Sequence, residues 1–434
     1  ETDANGQWVP IQNPSVTYGT NGFYLPFTND YEVEGFNTVT YTGNGGTQYV
    51  GGVGFEPDFL WIKRREGAEN HILQDSVRGA AKQLFTNTTE AELSGANNVQ
   101  SFETDGFVVG TDSGSNGSGR SFVAWAWDAG TGSAASNTDG SITSTVKASQ
   151  TYGQSVVTWT GTGTTVQETI GVGLNWSGKN KLVITKNRDS STYNWGVNSS
   201  VLAANKVLSL NTTNNDSQEN SSHYITYETD GFRTYNGGAG ILNQSGQEYI
   251  AYCFHSVAGY SDIGSYTGNG STSGPTITTG FKPAFVMIKR TDSTGDWHIL
   301  DNTRSPYGEV DNYLYANTSA AEYAGNNDGI LITDTTFQLS NSYAALNASG
   351  GTYIYIAFAD KREAAFWLDQ SGNNNDWTNN NMQESDISLD SPTNNFATMN
   401  PLASSSTLSE GNLRSQYSGS GNYKTAASTM SISS

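Results

Sequence analysis

The sequence has little cysteine, little positive charge and no long apolar run. Its single cysteine, Cys253, excludes a disulfide framework within the chain, and we expect a buried, inert thiol there. The 21 lysines and arginines are outnumbered by 41 aspartates and glutamates, which gives a formal net charge of −20. This charge argues against nucleic acids and anionic membranes as partners, because no basic patch neutralises phosphates. No stretch approaches the roughly 20 apolar residues of a membrane span.

Recognisable catalytic motifs are missing as well. The sequence has no Gly-x-Ser-x-Gly motif, no His-Glu-x-x-His motif and no phosphate-cradling loop. Its four histidines stand singly, without metal-ligand spacing. We assign His71 and His298 to one repeat position, where the second copy has Trp195 or a neighbour, and expect both to fill space. The acids mostly occupy Asp-Gly and Asn-Asp turns, whereas glycoside hydrolysis needs two facing acids. We therefore predict that the chain is not an enzyme.

The residues that are abundant point to β-structure. Aromatic residues make up 12% of the chain, with 23 tyrosines and 10 tryptophans, and there are 49 glycines. Charged residues contribute only 14%. Such a chain buries modest sandwich cores through aromatic and β-branched side chains and covers itself with Asn, Ser, Thr and Gly. Its 434 residues predict about three domains.

The stretch 265–301 recurs along the chain. Within it, residues 284–290 (AFVMIKR) form a predicted strand that ends in two cations and has turn-forming residues on both sides. Corresponding strands occur at 59–64 and 182–188, and each is followed by a similar series of loops and strands. The spacing of the copies is roughly 110 residues, which suits a small domain. The copies begin at Tyr41, Trp159 and Tyr266. The sequence therefore predicts three tandem copies of one β-module.

The predicted fold class is all-β, with three tandem β-sandwich modules of the jelly-roll or lectin-like kind and extended terminal segments. A turn-rich connector is predicted at 130–140, and the connection between the second and third modules is so short that we expect a rod. The chain opens on Glu1, as expected of a processed product. The predicted parts are an N-terminal lead-in at 1–36, module 1 at 37–130, module 2 at 141–257, module 3 at 258–360 and an extended Asn/Ser-rich segment at 361–434.

Cations at the end of the central strand are the most specific feature outside the predicted cores. One interpretation is a binding site for acidic or hydroxyl-rich glycans. The other is a set of salt bridges between modules or chains, to Asp75, Asp301 and the Thr-Asp strand starts. We favour the salt bridges, because the cations appear in every copy. The candidate residues are Lys63, Arg64, Lys186, Arg188, Lys289 and Arg290.

A candidate Ca²⁺ site lies in the Asn-rich part of the C-terminal segment. Asp369, Asn373, Asn375 and Asp376 offer the oxygen ligands that Ca²⁺ prefers. The alternative is a solvated turn, which the same residue types favour. Apart from this candidate, the sequence predicts no cofactor.

Four runs of residues carry a resemblance to a known family. They lie at 182–191 (LVITKNRDSS), 249–254 with 259–270 (YIAYCF and GYSDIGSYTGNG), 280–290 (GFKPAFVMIKR) and 390–402 (DSPTNNFATMNPL). These runs resemble bacteriophage virion proteins found in tail-fibre-like proteins of phages that infect marine bacteria, cyanobacteria among them. The similarity extends from about residue 37 to 413 and implies host attachment or particle decoration, not catalysis. In such proteins a SPRY-type, lectin-like domain often follows, so we expect this chain to be the shaft or the base.

We therefore expect a fibre or adhesin component on the virion surface, extracellular when mature. Its expected partners are other copies of itself as a homotrimer, other virion proteins, and a host surface glycan or protein. We expect neither nucleic acid binding nor membrane insertion. Three alternatives stay open: a capsid or tail decoration protein without receptor binding, a polysaccharide depolymerase tailspike, and an adhesin of a bacterium itself.

Overall fold

The computed structural model divides into two compact units. One is Val33–Arg362, and the other combines Glu1–Glu32 with Glu363–Ser434. Within the described residues, strands predominate and the helices are two single turns, which confirms the all-β class. The described residues are 31–95, 97–164, 166–216, 224–234, 242–305, 309–324, 329–361, 363–364, 407–409 and 414–416.

The first part of the unit Val33–Arg362 is an antiparallel module, called module 1 below. After the short β1 (Tyr31–Glu32) of the other unit, its elements are β2 (Phe36–Thr42), β3 (Gln48–Gly51), β4 (Phe59–Arg64), β5 (Ile72–Asp75), β6 (Lys82–Phe85), β7 (Leu93–Ser94), β8 (Val99–Glu103), β9 (Gly106–Val109), α1 (Ser113–Asn116) and β10 (Ser121–Trp127). They form a six-stranded sheet, β2-β10-β4-β5-β6-β7, and a three-stranded sheet, β3-β9-β8.

Module 2 repeats this plan with two additional strands at its start. Its strands are β11 (Ala135–Asn137), β12 (Ser144–Ser149), β13 (Gln154–Thr160), β14 (Thr169–Gly171), β15 (Lys181–Asn187), β16 (Gly196–Ser199), β17 (Leu208–Ser209), β18 (Ile225–Tyr227), β19 (Gly231–Thr234) and β20 (Glu248–His255). The sheets are β11-β12-β13-β20-β15-β16-β17 and β14-β19-β18. Strand β11 lies inside the predicted connector 130–140; its Ala-Ser-Asn sequence has no β-forming side chain, and pairing with β12 makes it a strand. Cys253 is buried in β20, as predicted.

Module 3 has the same central strand order. Its elements are β21 (Ser261–Thr267), β22 (Thr276–Thr278), β23 (Pro283–Arg290), β24 (His298–Asp301), β25 (Glu309–Val310), β26 (Tyr313–Tyr315), β27 (Ile330–Ile332), β28 (Thr336–Leu339), α2 (Ala344–Asn347) and β29 (Thr352–Ala359). The sheets are β21-β29-β23-β24-β26 and β22-β28-β27-β25. In the other unit, β30 (Glu363–Ala364) pairs with β1, and β31 (Thr407–Ser409) pairs with β32 (Arg414–Gln416).

A buried asparagine explains why the Gly-x-Gly turn recurs at the start of each copy. Its side-chain oxygen accepts a hydrogen bond from the backbone N–H of the turn's middle residue, which satisfies a backbone donor. In module 1 a Cβ on Gly43 would lie 2.5 Å from the Gly117 carbonyl oxygen, so that position requires glycine. The bonds run from Asn44 N to Asn116 at 2.9 Å, from Thr162 N to Asn243 at 2.8 Å and from Asn269 N to Asn347 at 2.8 Å.

The large sheets are buried on both faces. In β4, Leu60 and Ile62 pack into the core of module 1, whereas Phe59 and Trp61 pack into a second core that all three modules share. Modules 2 and 3 also have a core of their own and contribute to the shared core. Burial on both faces explains why the central strands read as continuous apolar runs instead of alternating with polar residues.

The three modules close around the shared core. Aromatic rings join every pair of modules: Phe59 and Phe254 are 6.5 Å apart, Phe254 and Phe358 are 5.6 Å apart, and Phe36 and Phe285 are 5.5 Å apart. Backbone bonds repeat in the same cyclic order, from Glu92 N to Arg188 O at 2.7 Å, from Asp216 N to Thr291 O at 3.0 Å and from Glu322 N to Arg65 O at 2.7 Å. Because module 1 contacts module 3 directly, the expected rod is wrong. A short connection orients neighbours, but burial of the apolar outer faces closes the ring.

The repeat assignment of the histidines is also corrected. His71 N donates to Asn87 Oδ1 at 2.9 Å, and Trp297 N donates to Asn317 Oδ1 at 2.8 Å. His71 therefore matches Trp297, and His298 lies one residue further on. His71 Nδ1 accepts a hydrogen bond from Trp61 Nε1 at 2.8 Å, and burial holds the pKa of His71 well below its ordinary value. His71 is thus a neutral, packed ring.

Candidate functional site

The three lysines predicted as ligand-binding residues are buried. Lys63, Lys186 and Lys289 donate from Nζ to the carbonyl oxygen of the residue that follows each of them, at 2.7, 2.8 and 2.7 Å. Lys289 also reaches the Thr213 carbonyl of module 2 at 3.4 Å. Burial lowers the pKa of each lysine to about 8. These amines therefore hydrogen-bond to backbone carbonyls in the interior of the domain. A surface ligand does not reach them without rearrangement.

The three candidate arginines bind carboxylates of this chain. Arg188 makes a bidentate pair with Glu92 of module 1, with nitrogen–oxygen distances of 2.8 and 2.9 Å. Arg290 pairs with Asp292 at 2.9 Å within module 3, and Arg64 lies 3.7 Å from Glu69 within module 1. Among contacts of the described residues, only those of Arg188 in this set join two modules. Glycan binding by these six residues stays a prediction.

The predicted partners of those cations, Asp75 and Asp301, are paired differently. Arg304 Nε lies 2.6 Å from Asp301 Oδ2, and both side chains are fully buried. Arg304 Nη1 also contacts Glu322 at 2.9 Å, and Trp125 Nε1 of module 1 donates to Asp301 Oδ2 at 2.9 Å. The assignment of these acids to the strand-end cations was therefore wrong. The Asp-x-x-Arg spacing in the sequence was the available signal, since both residues fall at one turn.

Module 1 contains a matching cluster. Arg78 Nε lies 2.6 Å from Asp75 Oδ2 and Arg78 Nη1 lies 3.0 Å from Glu92. Tyr252 of module 2 donates to Asp75 Oδ2 at 2.7 Å. Both clusters thus combine a buried ion pair with a hydrogen bond from the neighbouring module. Arg65, the third cation of the run Lys63-Arg64-Arg65 at the end of the central strand, completes the set by pairing with Glu322 at 2.7 Å.

A cluster of aromatic residues at the edge of module 3, called the tyrosine cluster below, reaches the surface. His298 lies 5.3, 4.8 and 5.8 Å from the rings of Tyr313, Tyr315 and Tyr343. Tyr323 stacks on Tyr313 at 5.2 Å with an interplanar angle of 11°, and 40% of Tyr323 is exposed. The hydroxyls of Tyr313 and Tyr343 hydrogen-bond to that of Tyr315, and burial raises the pKa of Tyr315.

Comparison with known families gives one match. A family model described as a domain of unknown function, DUF7483, matches residues 32–362. The chain belongs to the DUF7483 family. The matched range coincides with the compact unit Val33–Arg362, so the DUF7483 domain is the closed three-module unit. Comparison with curated proteins and with solved structures gives no match.

The candidate Ca²⁺ ligands of this DUF7483 protein, Asp369, Asn373, Asn375 and Asp376, lie outside the described residues, so that site stays a prediction. In the part of the chain that the structure describes, no group of three or more His, Cys, Asp or Glu side chains is arranged to hold a metal ion. The helices of the same part are too short to cross a membrane.

The buried lysines predict a pH dependence of the stability of the DUF7483 domain. An amine with a pKa of about 8 in the folded state and 10.5 when unfolded binds fewer protons when folded between those values. The free energy of unfolding should therefore rise with pH from 8 towards 10.5, by on the order of 1 kcal/mol per pH unit for each lysine.

Urea unfolding of the wild type and of Lys289→Met at pH 7, 8, 9 and 10 measures this contribution. The variant should show the smaller rise, and Lys82→Met, which removes a lysine whose side chain is 40% exposed, should leave it unchanged. Equal slopes for the wild type and Lys289→Met would show that the carbonyls around Nζ keep the amine protonated.

Proposed function

We propose that this DUF7483 protein is a structural protein of a bacteriophage virion, of the tail-fibre or adhesin type, which supports attachment to a host cell surface. The observation that carries the proposal is the closed three-module unit. Its modules share one aromatic core, and buried clusters around Asp75 and Asp301 link neighbouring modules. A component on the outside of a particle has to keep its shape. This chain has a single cysteine and therefore no disulfide framework, so a continuous core with buried ion pairs suits that requirement.

The position of the resemblance in the fold supports the same proposal. The run 182–191 contains most of β15 and its buried Lys186, the run 249–254 lies in β20, and the run 280–290 contains β23 with its buried Lys289. All three runs build central strands of the large sheets. The proposed resemblance to phage virion proteins thus falls on the framework of the domain, which favours a structural role.

The partners in this proposal are other virion proteins, further copies of the chain in a homotrimer, and a glycan or protein on the host surface. The net charge of −20 favours solubility at the particle surface. Because the large sheets are covered on both faces, the small sheets, the strand edges and the loops are the surfaces for these contacts.

Mass spectrometry of purified particles tests the proposal. The particles are those of the phage that encodes the chain, banded in a density gradient and washed at high salt. Peptides from all three modules should accompany the particles in a constant ratio to the capsid protein, and antibodies against Val33–Arg362 should label the particle exterior. Peptides found only in the lysate of infected cells, with none in the banded particles, would contradict a virion role.

A further inference from the structure

The tyrosine cluster departs from the repeat in a way that packing does not require. His298 faces Tyr315 across β24 and β26, as Ile72 faces Phe85 across β5 and β6. Tyr323 follows the boundary residue Glu322 as Leu93 follows Glu92, and each lies opposite an edge residue, Tyr313 or Gln83. Module 1 thus fills the equivalent space with Ile72, Gln83, Phe85 and Leu93, without any tyrosine or histidine.

The cluster also contains an unsatisfied polar atom. His298 is fully buried; its Nδ1 lies 3.2 Å from the Asp296 carbonyl, and its Nε2 has no hydrogen-bond partner within the described residues. Burial lowers the pKa of His298 to about 3, so the ring is neutral at pH 7. With the proton on Nδ1 and donated to the Asp296 carbonyl, Nε2 is an unpaired hydrogen-bond acceptor of a ring that packs among the tyrosines. Ile72, the equivalent residue of module 1, has no such acceptor.

The chemistry of the cluster selects one ligand class. Tyr323 presents a partly exposed aromatic ring, and Tyr343 and Tyr315 provide linked hydroxyls behind it. Aromatic faces stack on the C–H face of a pyranose ring, while phenol hydroxyls and a neutral imidazole bond to its hydroxyl groups. The five members of the cluster include no cation, and the chain carries a net charge of −20, which disfavours an acidic sugar.

We propose that the tyrosine cluster of module 3 binds a neutral hexopyranose unit of a glycan. The sugar stacks on the partly exposed ring of Tyr323 and its hydroxyls bond to the hydroxyl of the half-buried Tyr343, whereas the fully buried His298 Nε2 is reached only on rearrangement of the tyrosines. This inference rests on the proposed function and deepens it, because it places glycan recognition on one module at positions that differ from the candidate lysines and arginines.

Saturation-transfer NMR on the full chain tests the proposal. The probes are methyl β-galactopyranoside, methyl β-glucopyranoside and methyl α-mannopyranoside, with N-acetylneuraminic acid as the acidic comparison. At least one neutral hexoside should bind, with the strongest transfer to protons of one ring face. Tyr323→Ala should weaken this binding by about tenfold through loss of stacking. Tyr343→Phe should weaken it by about threefold, because one hydrogen bond is lost.

The matched control is Leu93→Ala, which removes an exposed apolar side chain at the equivalent position of module 1 and should leave binding unchanged. Three outcomes would overturn the inference: no binding of any neutral hexoside, binding of the acidic sugar alone, or equal effects of Tyr323→Ala and Leu93→Ala. Its failure is distinguishable from failure of the proposed function. A chain that is found in virions but binds none of these sugars refutes only the sugar site, and a sugar-binding chain missing from virions refutes only the virion role.

Discussion

Replacing Trp127 by alanine is expected to destabilise all three modules together, lowering the free energy of unfolding by about 3–5 kcal/mol. Trp127 is buried where the modules meet. Its ring lies 4.6 Å from Phe59 of module 1, 6.3 Å from Phe254 of module 2 and 5.7 Å from Phe358 of module 3. The cavity therefore opens in the core that the modules share, and each large sheet loses contacts on its outer face. Hydrogen exchange followed by mass spectrometry measures the effect separately in each strand.

The expected pattern is a similar loss of protection in β4, β15 and β23. Trp176→Ala is the matched control, because Trp176 is equally large and fully buried but belongs to the core of module 2 alone. Its loss of protection should be greatest in β14, β18 and β19. If Trp127→Ala instead exposes only peptides between residues 36 and 127, the modules fold independently and the shared core contributes little.

The central strands could be predicted from the sequence because their residues leave little choice. The predicted strand 284–290 is observed as Pro283–Arg290, and the predicted strand 182–188 as Lys181–Asn187. Both are runs of β-forming and apolar side chains between turn residues. The same runs also carried a signal that the rod hypothesis overlooked. Apolar residues at successive positions, such as Phe285, Val286 and Met287, indicate burial on both faces, so the outer face of each sheet needs a partner.

Closure of the ring could not be predicted, because it depends on pairs of residues far apart in the chain. Glu92 and Arg188 are separated by 96 residues, and Arg65 and Glu322 by 257. Charge alone offers many partners for each cation in a chain with 41 acids, and only the packing of the sheets selects among them. His71 and His298 were wrongly assigned to the same repeat position, and the cause of this error is local. The segments before β5 and β24 differ by one residue in register, which a motif comparison does not resolve.

Removal of the Arg304 guanidinium has the second largest expected effect. Arg304→Met keeps the length and apolar volume of the side chain but leaves Asp301 and Glu322 without their shared cation. Asp301 is fully buried, so its charge would remain in the interior with Trp125 Nε1 as a donor from module 1. Loss of one partner of a buried ion pair costs about 3–5 kcal/mol, and urea unfolding at pH 7 should show a decrease of that size.

Two further variants separate the buried charge from the lost packing. Asp301→Asn in the Arg304→Met background removes the unpaired charge and keeps an oxygen for Trp125, so it should recover part of the lost stability. Arg233→Met breaks a pair with Glu228 in which both side chains are 40% exposed, and should change stability by less than about 1 kcal/mol. If Arg304→Met and Arg233→Met have equal effects, the Arg304 cluster does not stabilise the contact between modules 1 and 3. A large effect with partial recovery by Asp301→Asn would show that this contact depends on neutralising a buried carboxylate.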